Sequence, residues 1–305
     1  MSKILVVFGA TGQQGGSVVS YALENLSNEF KIRGVTRNVS SESARLLSEK
    51  GVQMVECDTS SKSSVLNALK GAHTVFAMSN MKFDGSSTEF EEGKTIADAA
   101  VEQGVEYFIW STLAAVKKIS NNEFTHVKHF DQKAEVESYV RSLPIKSSFY
   151  SPGIFLQNFL NIFPPQKLNN LDAFFNVLKP DTKVPWIDVV GESGKYVGIL
   201  LSNQEKYVGK KIHGSQKLYS MSELVDIIGN ASGKKVVYSQ VSKEEFTKMH
   251  PPSIAEDVTE MFEFYEKYGY WGANTIAIVE ENAKNIEFKP VSAEEFFKEH
   301  PLKFK

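Results

Sequence analysis

His129 and Lys133 stand four residues apart in KHFDQKAEVE, 128–137. On a helix that spacing places both side chains on one face. An imidazole titrates near neutrality, so a histidine beside a fixed cation is a candidate general acid. The alternative is a solvated helix stripe. Ser111 ends the run YFIWS, 107–111, and adds a hydroxyl. His126, His129 and Asp131 supply enough donors for a zinc ion by count, but their spacing turns Asp131 away from the two histidines, so no metal is expected. Tyr207 and Lys211 repeat the four-residue spacing in a Gly-Lys-Lys loop and are read as a chance match.

A second set of residues suits an anion. In FGATGQQGG, 8–16, Gly9, Gly12 and Gly15 follow five apolar residues and precede a helical run. The first glycine permits a tight turn, the second lets backbone approach a pyrophosphate, and the third lets the helix pack on the strand. The helix start offers free N–H groups to the phosphates. Thr11, Gln13 and Gln14 lie between the glycines and are candidate contacts. The next strand ends Val35-Thr36-Arg37-Asn38, with no carboxylate before Glu42. An acidic residue there would select the free 2′-hydroxyl of NAD. The Arg37 guanidinium, if it is not simply solvated, suits a 2′-phosphate. NADP(H) is therefore expected in preference to NAD(H). Asp58, after the third strand, would meet the adenine amino group or cap the helix at 61–70. Asn80, after the fourth strand, would lie beside a ribose or form a turn.

These groups need a scaffold. ILVVF (4–8), 31–37, 52–58, 73–79, 105–111 and 146–152 read as strands, and 13–26, 41–50, 61–70, 88–103 and 125–142 as helices. That alternation predicts an α/β, Rossmann-type, doubly wound parallel sheet over residues 1–153. Residues 186–203 read as strand then helix and are expected to rejoin it. Residues 154–185 and 204–305 are expected to form a smaller α+β C-terminal region closing a cleft, with helices at 220–231, 242–249, 254–267 and 292–300 and a strand at 235–240. Phe155, Asn158 and Phe159 share a helical face and read more as core than as a substrate box. Phe262, Tyr265 and Gly269 read as a packed helix.

The 305 residues are 42% hydrophobic and 23% charged with a net charge of −3, which permits a sizeable core. No Lys/Arg run exceeds two residues, so direct nucleic-acid binding is not expected. One cysteine, Cys57, excludes an intramolecular disulfide and a cysteine-rich zinc site. The apolar start is too short for a signal peptide or a membrane span, which predicts a cytoplasmic protein, with nuclear entry left to a carrier.

GATGQQGGSVV, TRN after the second strand, KHFDQKAEVE, SPGIFLQNFL and KYVGKKI together resemble the NmrA-like family, an atypical branch of the short-chain dehydrogenases/reductases, over nearly the whole chain. In typical members of the wider class, a strand-five serine accompanies Tyr-x-x-x-Lys. The tyrosine donates a proton, and the lysine lowers its pKa and holds the nicotinamide ribose. By resemblance Ser111 is the serine and Lys133 the lysine, while His129 stands where the tyrosine would be. A lysine beside it would disfavour imidazolium and make it a poor acid. The resemblance also places Pro152 and Gly153 near the nicotinamide. It implies a cofactor-binding redox sensor that acts through a protein partner such as a transcription factor, by way of a conformation or a homodimer, without the standard catalysis. The alternative is an NADPH-dependent reductase of quinones or small carbonyls, in which Ser111 and His129 polarise the acceptor. A third class, an interaction scaffold without dinucleotide, conflicts with the intact glycine loop.

Overall fold

The computed structural model describes residues 2–80 and 88–304. Six strands, β1 (Lys3–Phe8), β2 (Phe30–Thr36), β3 (Gln53–Glu56), β4 (Thr74–Ala77), β5 (Tyr107–Ser111) and β6 (Lys146–Pro152), alternate with α1 (Gln13–Asn25), α2 (Glu42–Glu49), α3 (Lys62–Leu69), α4 (Glu89–Glu102), a single turn α5 (Val116–Ile119) and α6 (Lys128–Val140). Beyond them come β7 (Ile154–Phe155), α7 (Asn158–Asn161), β8 (Gln166–Leu168), β9 (Leu171–Asn176), β10 (Val184–Ile187), α8 (Val189–Ser202) and α9 (Gln204–Tyr207). The chain ends with β11 (Lys211–Gly214), β12 (Leu218–Tyr219), α10 (Met221–Ser232), β13 (Val236–Gln240), α11 (Lys243–Lys248), α12 (Ala255–Tyr268), α13 (Thr275–Asn285) and α14 (Ala293–Glu299).

The main sheet is seven-stranded and parallel, in the order β11-β6-β5-β4-β1-β2-β3. Such a sheet is covered on both faces, which is why β1, β4 and β5 are nearly continuous apolar runs. Alternate residues of β1 serve opposite cores. Leu5 and Val7 join Val18, Val19 and Ala22 of α1 and Val197 and Leu200 of α8. Val6 and Phe8 join Ala68 and Leu69 of α3, Ile96 and Ala100 of α4 and Val136 of α6. The fold is thus Rossmann-type and doubly wound, as the alternation of strands and helices predicts. The order reverses between β1 and β4, which opens a crevice at the carboxyl ends of the strands.

Residues from far along the chain complete this layer. Helix α8 lies on α1, where Gly194 and Gly198 permit contact: a Cβ at Gly194 would sit 2.2 Å from the Ser17 carbonyl oxygen, and one at Gly198 would sit 2.1 Å from the Tyr21 ring. Ser17 Oγ accepts the Gly194 N–H at 2.8 Å. Strand β11, from the segment expected in the smaller region, is the seventh strand, paired with β6. The remaining elements build two three-stranded sheets, β12-β10-β7 and β13-β9-β8, and an aromatic core that includes Phe159, Phe174, Trp186, Phe262, Phe264 and Phe296. Phe159, on α7, is core, but Phe155 lies on β7 and shares no helical face with it, because the chain is still extended at that point; α12 is a packed helix. Three helices of this region, α10, α11 and α14, start with complete Ser-x-x-Glu capping boxes.

Candidate functional site

Strand β1 delivers the chain to the crevice at Gly9, whose φ of +66° places it in the left-handed region that glycine tolerates without strain. The Gly12 N–H closes the turn on the Gly9 carbonyl at 2.8 Å. A Cβ at Gly15 would lie 2.2 Å from that same carbonyl oxygen, so only glycine lets α1 approach β1 here. Gly12 is exposed, no side chain caps α1, and its first turn holds no acidic residue. The helix end therefore presents unneutralised N–H groups to the crevice. Gln14 is buried and its Oε1 accepts the Ser111 hydroxyl at 2.8 Å, tying the glycine loop to the end of β5. Gln13 is exposed, and Thr11 Oγ1 lies 3.4 Å from Thr36 Oγ1 at the end of β2. These features fit a dinucleotide pyrophosphate.

Two arginines on or beside β2 have different fates. Arg33 is buried, with hydrogen bonds to Gln53, the Ala68 carbonyl and the Lys70 carbonyl. Arg37, just past the strand end, is exposed and has no ion pair or hydrogen bond among the described residues. Asp58 accepts the backbone N–H and the hydroxyl of Ser60 at 2.9 and 2.6 Å, an Asx turn, while Ser61 is the N-cap of α3. Asn80 is exposed at the crevice end of β4. Gly153 is buried. Its N–H donates to the Gly214 carbonyl at 2.9 Å, and a Cβ there would meet the Pro185 carbonyl oxygen at 2.8 Å, so Pro152-Gly153 marks a close crossing of chain segments.

His129 and Lys133 both lie on α6 but serve different neighbours. Lys133 is 8% exposed and its ammonium is paired with the buried Glu89 carboxylate on α4. Ser79, at the end of β4, donates to the same carboxylate oxygen at 2.7 Å. The Lys133 carbonyl accepts from Trp110 Nε1 at 3.0 Å and from Thr112 Oγ1 at 3.3 Å, which fixes α6 against the end of β5. His129 faces α12, with Nδ1 2.5 Å from Asp257 Oδ1, although the contact lacks the alignment of a hydrogen bond. The charge beside the imidazole is therefore a carboxylate, and the lysine expected to act on it has its own counter-ion.

The same carboxylate surface of α12 caps the entry to α6. Asp257 accepts the Lys128 N–H, and Glu260 accepts the N–H groups of Thr125 and His126, all within 2.9 Å. Glu260 also binds the His126 ring, raising its pKa. Asp131 instead accepts the Lys117 N–H at 3.0 Å, so His126, His129 and Asp131 do not converge. Lys211 pairs with Glu137 at 2.7 Å. Sequence reasoning missed Glu89, Asp257 and Glu260, because each meets α6 only through tertiary packing.

Two titratable groups, Glu192 buried and His213 half-buried, lie where the sheet meets the smaller region. Glu192, on the first turn of α8, is pushed up to about 7 by burial and then by Asp188. His213 on β11 is pushed down to about 4 by burial and by Lys211. A separate cavity of about 480 Å³ between α11 and α12 is lined by Lys243, Thr247, Lys248, Glu256 and Glu260 and by none of the expected site residues. Among the described residues, no helix is long and apolar enough to cross a membrane, and no group of three or more His, Cys, Asp or Glu side chains could hold a metal ion.

Comparison with known proteins agrees with this architecture. An NmrA-like family domain-containing protein of Dictyostelium discoideum is 32% identical over 308 residues, covering 98% of each chain. An NmrA-like family domain-containing oxidoreductase of Aspergillus campestris is 32% identical over 286 residues, covering 87% of this chain and 83% of the relative. The crystal structure of NmrA, a negative transcriptional regulator in complex with NADP, superposes with a TM-score of 0.82 at 20% identity over 98% of this chain and 95% of that one, a likeness of fold. The model of the NmrA-like family matches residues 1–297, and the chain belongs to that family.

Proposed function

We propose that this protein binds a nicotinamide dinucleotide, NADP(H) in preference to NAD(H), and acts as a cofactor-dependent redox sensor that regulates a protein partner. Residues Gly9–Gly15 would hold the pyrophosphate, Arg37 the 2′-phosphate, and Asp58 and Asn80 would flank the adenine and ribose. Lys133 would hold the nicotinamide ribose near Pro152-Gly153. When bound, the nicotinamide supplies an oxidation state and the capacity for hydride transfer. In this reading residues 1–153, with α8 and β11, carry the cofactor, and the rest of the chain, including β10, closes the crevice.

The observation that supports binding without standard catalysis is the division of labour on α6. Lys133 is kept and paired with Glu89, whereas His129, at the position of the absent phenol, is turned to Asp257. A proton donor must reach the reacting group, and this imidazole is engaged by another element. Sensing then requires a partner that binds the two cofactor states with different free energy. The NADP-bound transcriptional regulator of the same fold offers the analogy.

The relative from Aspergillus campestris bears the name oxidoreductase, which favours a second reading as an NADPH-dependent reductase of quinones or small carbonyls. There the Ser111 hydroxyl, held by Gln14, would polarise the acceptor. One experiment separates the two. The purified protein is titrated with NADPH, NADP, NADH and NAD, and loss of NADPH absorbance is followed with a panel of quinones and aldehydes. Tight binding without turnover is expected. Turnover abolished by Ser111→Ala or His129→Ala would establish the reductase and end the sensor-only reading.

A further inference from the structure

The ammonium of Lys133 is buried, and Glu89, 3% exposed, supplies the counter-charge that offsets its desolvation. The two meet because α4 and α6 cross closely at Gly93, where a Cβ would lie 2.6 Å from Val136 Cγ2 and 2.9 Å from the Trp110 ring. Glu89 is one helical turn before Gly93, and Lys133 nearly one turn before Val136, so the contact that only glycine allows brings the charges face to face. Glu89 is further fixed by the Ser79 hydroxyl and by its place in the first turn of α4, where the helix dipole favours a carboxylate. An ammonium has three protons. One is directed to Glu89, and Nζ has no other acceptor among the described residues, so two donors are left for sugar hydroxyls.

We propose that Glu89 and Lys133 act as a compensated charge pair that sets how far the crevice distinguishes the oxidised from the reduced dinucleotide. This rests on the reading that the dinucleotide binds here with its nicotinamide ribose at Lys133. The two cofactor states differ at the ring, which is cationic when oxidised and neutral when reduced. Lys133 alone would disfavour the oxidised form, and Glu89 alone would favour it. Paired, they largely cancel, and Glu89 is a positioning residue that acts through Lys133.

The test is the ratio of dissociation constants, Kd for NADP over Kd for NADPH, measured by calorimetry. Glu89→Gln leaves the lysine uncompensated and should raise the ratio on the order of tenfold; Lys133→Met should lower it by a similar factor. The double variant Glu89→Gln/Lys133→Met removes both charges and should return it to within about threefold of wild type. Glu89→Asp keeps the charge and should keep the ratio even if both affinities fall. A lost sugar contact or a loosened fold weakens both ligands together and leaves the ratio unchanged. An unmoved ratio in the single variants, with both cofactors still bound, overturns the charge-pair inference and spares the binding reading. Failure of the wild-type protein to bind either cofactor overturns the binding reading itself.

Discussion

Replacing Glu192 with glutamine should make the protein progressively more stable, relative to wild type, as pH rises from 4.5 to 8. Glu192 is 2% exposed, and its Oε1 accepts the Val291 N–H at 2.8 Å. Burial and the neighbouring Asp188 raise its pKa from 4.5 to about 7. Below pH 4.5 the folded and unfolded chains both hold the proton, and the contribution is at its full value. Between pH 4.5 and 7 the folded chain keeps a proton that the unfolded chain releases, so stability falls as pH rises. Raising the pKa from 4.5 to about 7 corresponds, at about 1.4 kcal/mol for each tenfold change in proton affinity, to a loss of about 3 kcal/mol across that window. Glutamine keeps the shape and the acceptor for Val291 but cannot ionise. Urea unfolding of both proteins at matched pH values measures the difference, in which the titrations of groups not coupled to Glu192 cancel. A difference that stays flat from pH 4.5 to 8, or one that moves in favour of wild type, would refute the assignment of Glu192 as a buried neutral acid.

His213 predicts the opposite slope. Its pKa is lowered from 6.5 to about 4, so the unfolded chain takes up a proton that the folded chain refuses, and stability is lost as pH falls from 6.5 toward 4. His213→Gln should remove about 3 kcal/mol of that acid sensitivity, read from the same unfolding series, and an unchanged slope would exclude the histidine as its source. Arg37→Ala should weaken NADPH by roughly tenfold to a hundredfold, the worth of a charge-assisted hydrogen bond, while leaving NADH nearly unaffected. Equal loss for both cofactors in a fluorescence titration would remove the 2′-phosphate role.

Much of the sheet domain is legible from local pattern. Gly9, Gly12 and Gly15 announce the β1–α1 turn because each glycine answers a backbone requirement within a few residues of itself. Strands β1, β4 and β5 show as apolar runs because both faces of the sheet are covered. Other features depend on distant partners. Strand β11 is four residues long, and His213 interrupts its apolar character. Strands β8 and β9 lie in a stretch that reads only as aromatic and proline-bearing. Helix α13 buries only Thr275 and Val279 and so lacks a clear apolar stripe. At the site, the types and spacing of His129 and Lys133 were visible, but their counter-charges were not. Glu89 lies 44 residues before Lys133 and belongs to another helix. Nothing local in KHFDQK indicates that its histidine meets Asp257 on α12.

The late arrival of α8 and β11 bears on how the chain is made. A ribosome that has released only the first 153 residues has released six strands of the sheet, yet β6 still lacks its outer neighbour, and the side of α1 that carries Ser17 and Tyr21 has nothing to cover it. The nascent sheet must wait some sixty residues of further synthesis, until about residue 214, before its edge and its helical coat are complete. During that interval the unpaired backbone edge of β6 is open to pairing with other chains. A gene shortened to the first half would extend that exposure indefinitely, so aggregation is the expected fate of such a fragment.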